Sequence, residues 1–299
     1  MEFKLADFEV KEVIPASAFG DDYIDWGLKA VGAEVAWQKT KGKGVKVAVL
    51  DTGIDPDHPD LVQNVKEYVD FTGSSYGAED VQGHGTHCAG IIGGTDNGIG
   101  MIGIAPEVDL YAAKVLGDNG SGNFESIIRG LQWAIDRNVD VISMSLGTAS
   151  RPPEQVHQLI KEATERGIIL VAATGNENSE VCWPAMYDEV IAVSAVDQQL
   201  QHARFSNYGI KNEISAPGVD IVSTYKGGTY ARLSGTSMAT PMVAGAVALV
   251  IARHKELFFD VKPTAENLHK IVDKMVKDLG EVGRDILYGE GMIDLTLLP

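Results

Sequence analysis

Short, unbroken apolar runs recur along this chain, separated by stretches of helical periodicity, and that alternation is the strongest constraint on its fold. Gly44-Val-Lys-Val-Ala-Val-Leu50 predicts a buried strand ending at Asp51. Further strands are expected over 108–115, 139–146, 167–173 and 190–195. Helices are expected after His84 and over 124–137, 154–166, 237–254 and 264–279. Strands alternating with helices require right-handed crossovers, so the fold class is α/β: a three-layer, mostly parallel twisted sheet with helices on both faces. No repeat or linker interrupts residues 40–299, and one domain is expected over 20–299, preceded by a short extension over 1–19. In such sheets ligands bind beyond the carboxyl ends of the strands, where Asp51, Gly147 and Asn176 fall.

Ser237 heads the longest apolar helix, inside Leu233-Ser-Gly-Thr-Ser-Met-Ala-Thr-Pro241. Small neighbours let a substrate carbonyl approach the hydroxyl, and a helix N-terminus offers unpaired N–H groups to developing negative charge. A serine hydroxyl alone is unreactive at neutral pH, so it needs a base and an acid that orients the base.

The 299 residues carry a net charge of −17, which argues against nucleic-acid binding because phosphates demand Lys/Arg stripes. No apolar run of eighteen residues is free of both charge and glycine, so no membrane span is expected. The N-terminus lacks the basic start and apolar block of a secretory signal. A cytoplasmic location is therefore expected, or a secreted one if a signal has already been removed. Cys88 and Cys182 are the only cysteines, too few for a disulfide framework, which favours a reducing compartment.

Three segments carry the chemistry: Val47-Ala-Val-Leu-Asp-Thr-Gly-Ile54, Gly83-His-Gly-Thr-His-Cys-Ala-Gly90 and Ser234-Gly-Thr-Ser-Met-Ala-Thr-Pro241. They resemble the Asp, His and Ser signatures of the subtilisin-like serine proteases, in that family's chain order. The similarity runs from about residue 20 to Gly289-Glu-Gly-Met-Ile-Asp294. It implies a serine endopeptidase of broad specificity, with Ser237 as nucleophile, His84 as base, Asp51 as orienting acid and Asn176 as an oxyanion donor. A dedicated processing protease and an inactive peptide-binding homologue are the rival expectations. Peptide and protein substrates would lie extended between Lys114–Gly122, through Leu116, Gly117, Gly120, Ser121 and Gly122, and Ser145-Leu146-Gly147. Leu116, Phe124, Ile127 and Leu146 would line apolar subsites, and Gly175, Glu177 and Cys182 the pocket for the residue before the cut.

The resemblance also implies calcium. Asp60 and Asn97 by side chain, and Thr95, Ile99 and Met101 by carbonyl, match the family's strong site, with Asp22 as an added ligand. A weaker cation site would use the carbonyls of Ala185, Tyr187 and Val190. Gly98-Ile-Gly-Met-Ile-Gly103 satisfies a dinucleotide-binding spacing but leads from a helix into a strand, the reverse of a phosphate cradle. His84 and His87 lack a third metal ligand nearby, so a supporting role for His87 is expected. Cys88 follows the histidine motif as in the proteinase K-like branch, and mercurial sensitivity is its corollary. Met238 resembles the family's oxidisable methionine. Met242 stands where the family usually has histidine. Finally, Glu12-Val-Ile-Pro-Ala16 resembles the blocking segment of intracellular subtilisins. Pro15 is expected in the cleft, as part of an N-terminal segment removed between about Ala16 and Asp21.

Overall fold

The computed structural model describes residues 2–5, 8–259 and 261–299; Met1, Ala6 and Asp7 of the N-terminal extension lie outside them. The extension forms β1 (Phe3–Lys4) and β2 (Glu9–Ile14), followed by helices α1 (Trp26–Ala30) and α2 (Ala33–Ala36). Then come β3 (Lys46–Asp51), β4 (Val65–Asp70), α3 (His84–Gly93), β5 (Asp109–Lys114), β6 (Ser121–Gly122), α4 (Phe124–Asp136) and β7 (Val141–Met144). The second half holds α5 (Glu154–Glu165), β8 (Ile169–Ala173), β9 (Val190–Val196), β10 (Ile214–Pro217), β11 (Ile221–Tyr225) and β12 (Thr229–Ser234). It ends with α6 (Thr236–Leu257), α7 (Ala265–Val272), β13 (Val276–Lys277) and β14 (Met292–Ile293).

Among the described residues one nine-stranded sheet has the order β13-β14-β10-β9-β8-β7-β3-β5-β4, parallel throughout except for β13. Burial on both faces explains the unbroken apolar runs. Along β3, Val47 and Val49 join the core under α3 and α6, while Ala48 and Leu50 join the core under α4 and α5. Thr236–Leu257 is long and apolar enough to cross a membrane, yet protein encloses it; residues 236–252 are all buried.

The strands expected from apolar runs and the helices over 84–93, 124–136, 154–165 and 236–257 are present. The helix expected over 264–279 ends at Val272, because Val276 leaves it to pair with Ile293. The ribbon β11–β12 and its third strand β2 carry no apolar-run signal, because Ser, Thr, Arg, Lys and Glu interrupt their apolar residues; β11 is nevertheless wholly buried, while β2 is exposed at 10–13.

Asp273, just past α7, keeps a buried Oδ1 with no hydrogen-bond partner. Burial, then the Glu213 and Glu290 carboxylates, raise its pKa from 3.8 to about 6. Between those values the folded form keeps a proton that the unfolded chain releases, so this contribution to stability is lost as pH rises through about 6. Asp273→Asn should therefore stabilise the protein at pH 7.5 by about 1 kcal/mol, or roughly 2 °C, after discounting for partial exposure. The gain should vanish at pH 4, and thermal melts at both values check it.

Candidate active site

Asp51 ends β3 and His84 opens α3, so a sheet edge and a helix start must meet closely. Gly85 permits this: a Cβ there would lie 2.2 Å from the Gly53 carbonyl and 3.1 Å from the Asp51 Cβ. His84 Nδ1 lies 2.8 Å from Asp51 Oδ1, with both side chains buried. The same oxygen accepts the Thr52 N–H at 2.7 Å. Buried Asp80 fixes the start of α3, accepting from Gly83 N and Thr86 N and from the Thr52 hydroxyl. Burial pushes the His84 imidazole toward neutrality, but the adjacent Asp51 carboxylate overrides it, so the net shift is upward.

Ser237 is the second residue of α6 and fully buried. Its hydroxyl donates to the Ser145 carbonyl at 3.3 Å, and His84 Nε2 makes no hydrogen bond among the described residues. The expected base–nucleophile hydrogen bond is therefore not formed in this structure; such contacts commonly tighten only on substrate binding. Asn176, after β8, anchors its Oδ1 on Thr236 N and Oγ1 at 2.9 and 2.7 Å. A Cβ on Gly235 would lie 3.1 Å from Asn176 Nδ2 and 3.7 Å from Ser237 N. Asn176 Nδ2 and Ser237 N thus lie close to each other at the head of α6.

The two cleft edges are filled by the chain's own N-terminus. β1 pairs antiparallel with β6, Phe3 opposite Gly122 and Lys4 opposite Ser121. Lys4 exchanges both backbone hydrogen bonds with Gly147 at 3.0 Å, and Leu5 N donates to Gly120 O at 2.9 Å. Phe3 is fully buried with Leu116, Ile127 and Leu146, edge-on to Phe124 at 5.5 Å. Phe8 lies against the His84 ring, centroids 4.9 Å apart. β2 then runs antiparallel to β12, with ion pairs Lys11–Asp220 at 2.5 Å and Glu12–Arg232 at 3.6 Å. The expectation for Pro15 is corrected here. Pro15 follows Ile14, which pairs with Tyr230, so it sits past the far end of β2 and not in the cleft. The aromatic Phe3 seats the segment, and sequence reading passed over it because a single aromatic at a terminus carries no pattern.

A cavity of about 480 Å³ opens beside Gly147, lined by Lys4, Glu177, Glu180, Cys182 and Trp183. Glu177 is held by Asn207 Nδ2 at 2.9 Å and Asn176 N at 3.0 Å. Gly175 completes this turn with a φ of 110°. Cys182 Sγ lies 2.4 Å from where a Gly147 Cβ would be, so its thiol abuts that cleft edge.

The candidate calcium residues converge. Asp60 is buried and accepts from Met101 N and Tyr230 Oη at 2.8 Å and from Asn97 Nδ2 at 3.2 Å. The Thr95 N–H and hydroxyl close on the Asp60 carbonyl, and Ile99 N donates to Asn97 Oδ1. Asp22 accepts from Gly98 N at 3.0 Å, while its buried Oδ1 has no hydrogen-bond partner. An acid oxygen orphaned beside a carboxylate-lined loop fits a hard cation. Tyr230 is the member that sequence reading missed. At the weaker candidate site Ala185, Tyr187 and Val190 share one turn, where the Tyr187 carbonyl already accepts Val190 N at 3.2 Å.

His87 faces the Ile221 and Ala231 carbonyls through Nε2, and burial holds it neutral, with a pKa lowered to about 3. Met238 and Met242 are fully buried, Met242 against Gly27. Cys88 Sγ lies 3.8 Å from His84 Nδ1 and 3.4 Å from the Ser237 carbonyl, and burial raises its pKa.

A buried Asp51–His84 pair and a buried serine at the head of α6 are elements that a serine-type hydrolase requires. Residues 42–291 match the subtilase family. The chain is 42% identical over 283 residues to an intracellular serine protease of Paenibacillus polymyxa, covering 91% of this chain and 86% of that protein. It is 43% identical over 273 residues to Subtilisin Savinase of Lederbergia lenta, covering 91% and 97%. An alkaline protease of Alkalihalobacillus alcalophilus is 40% identical over 305 residues, covering 98% and 77%. The chain belongs to the subtilase family, and it is a serine endopeptidase.

Inorganic mercury binds thiols tightly, and Cys88 lies behind the His84 ring nitrogen. Mercuric chloride should abolish the peptidase activity of the protein trimmed of its N-terminal segment and spare trimmed Cys88→Ala, which keeps Cys182. Equal inhibition of both would place the sensitive thiol at Cys182.

Proposed function

We propose that Asp51, His84 and Ser237 are the catalytic triad of a calcium-stabilised endopeptidase that accepts a broad range of extended peptides and is held inactive by its own N-terminal segment. The buried 2.8 Å Asp51–His84 contact beside the head of α6 carries this reading. The Ser237 hydroxyl turns to His84 Nε2, gives up its proton and attacks the scissile carbonyl. The imidazolium, steadied by Asp51, then protonates the leaving amine, and water releases the acyl group through the same steps in reverse. The oxyanion is met by Ser237 N and Asn176 Nδ2; each such donor contributes about 3 kcal/mol to the transition state. His84 must be neutral to act as base, and Asp51 raises its pKa, so activity falls as pH drops through a value above the usual 6.5.

Substrate would add as a strand between Gly120–Gly122 and Gly147, where β1 now lies, and this main-chain pairing favours broad sequence tolerance. The segment Phe3–Leu5 holds the cleft like a substrate, and Phe8 covers His84. Cutting the segment within the cleft would leave Phe8 and β2 zipped to β12, so release requires removal beyond Ile14. Residues 15–18, 20 and 21 are exposed and suit that cut. The free thiols of Cys88 and Cys182 suit a cytoplasmic setting.

A serine-directed phosphonate tests the triad and the blocking segment together. Ser237→Ala should not be labelled. Burial of Phe3 holds the segment by about 2 kcal/mol, so full-length Phe3→Ala should label about 30-fold faster than the native chain. Equal rates for Phe3→Ala and native protein would remove self-inhibition while leaving the protease reading intact.

Asp60, Asn97, Asp22 and the carbonyls of Thr95, Ile99 and Met101 would hold calcium, which supplies only charge compensation for a carboxylate-rich loop. At a hundredfold excess over its dissociation constant, calcium should add about 2.7 kcal/mol of stability. Chelation should lower the melting temperature by several degrees, and Asp60→Asn should abolish that response. A melting curve indifferent to chelator would exclude the site.

A further inference from the structure

Lys114, the last residue of β5, has a completely buried side chain and stands opposite Asp51 in the sheet register. Its ammonium has three N–H donors and reaches three acceptors, the Thr52 carbonyl at 2.6 Å, Asp118 Oδ1 at 2.8 Å and the Glu79 carbonyl at 3.2 Å. A buried charge is poor value for stability, because an apolar side chain of the same volume avoids the desolvation cost. The three acceptors instead identify what the charge connects.

Thr52 follows the triad acid directly. Glu79 precedes Asp80, whose carboxylate accepts the Thr52 hydroxyl at 2.8 Å and the Gly83 and Thr86 N–H groups at 2.7 and 2.8 Å, fixing the first turn of the helix that begins with His84. Asp118 lies in the turn that forms the cleft edge, where Gly117 N donates to Ser121 O at 2.8 Å. Ser74 Oγ holds the same carboxylate at 3.0 Å. The ammonium keeps the Asp118 carboxyl below its ordinary range.

We propose that Lys114 is a positioning residue for peptide hydrolysis, fixing the spacing between the Asp51 turn, the start of the His84 helix and the Gly117–Gly122 substrate edge. The proposal rests on the triad assignment above. The residue touches neither substrate nor the reacting atoms; it acts through Thr52, Asp80 and Asp118. Because the same cation serves both the acid–base pair and the cleft edge, disturbing it affects the chemical step and substrate binding together.

The test uses full-length Lys114→Met and Asp118→Asn, with rates expressed per phosphonate-titratable Ser237 so that unfolded or blocked molecules do not count. Two substrates are compared, a dipeptide anilide too short to reach Gly122 and a tetrapeptide anilide with Phe at its fourth residue from the cut. Lys114→Met should lower kcat on both by about ten- to a hundredfold, as expected for sub-ångström displacement of reacting groups. Asp118→Asn keeps an oxygen for the ammonium but removes the charge pairing at the link to the substrate edge. It should raise KM for the tetrapeptide about two- to fivefold relative to the dipeptide, the scale of a half-exposed ion pair.

A Lys114→Met protein that melts earlier but keeps native kcat and KM would reduce Lys114 to a stabilising residue and overturn the proposal. If that variant does not fold, Asp118→Asn decides: a tetrapeptide-to-dipeptide KM ratio equal to the native value overturns it. Failure of the triad assignment itself looks different, because native protein would then show no Ser237-dependent labelling in any form.

Discussion

The close contact between a strand end and a helix start, sealed by the hydrogen bond from His84 to Asp51, is the constraint around which this structure is arranged. Neither side chain tolerates that burial alone, since an isolated carboxylate or imidazolium in a dry site is strongly disfavoured. The contact therefore requires everything that brings β3 and α3 together: the bare backbone of Gly85, the Asp80 carboxylate that accepts from the N–H groups at the helix start, and parallel neighbours on both sides of β3. Ser237 heads a helix packed on the same sheet face as α3, and its carbonyl lies 3.4 Å from Cys88 Sγ on α3.

Much of this was legible in the sequence, and for identifiable reasons. Strands buried on two faces announce themselves as unbroken apolar runs, so β3, β5, β7, β8 and β9 were found within a few residues. The Asp, His and Ser motifs are compact because each packs its functional residue against glycines or small side chains, which leaves a local imprint. Asp60, Asn97 and Asp22 were grouped by the resemblance of their loop to the family's calcium loop; Asn97 bonds Asp60, and Asp22 accepts from Gly98 of the same loop.

What escaped notice depends on partners distant in sequence. Phe3 is an ordinary aromatic until β6 and the apolar floor of Leu116 and Ile127 receive it, and β2 has no reason to be a strand until β12 offers an edge. Pro15 illustrates the converse error: its chemistry suits a bound, uncut strand, but pairing register and not residue type decides which part of a segment reaches the nucleophile. Lys114 and Tyr230 carry no motif. Lys114 matters through the acceptors that three separate loops present to its ammonium, and Tyr230 through its hydrogen bond to Asp60.

The enclosure of α6 has a consequence for how the enzyme ages. Residues 236–252 are buried on every side, so the serine at the head of that helix has no fraying end through which to drift. Loss of the nucleophile's geometry is tied to opening of the whole core. Such opening also exposes the chain to digestion by its neighbours.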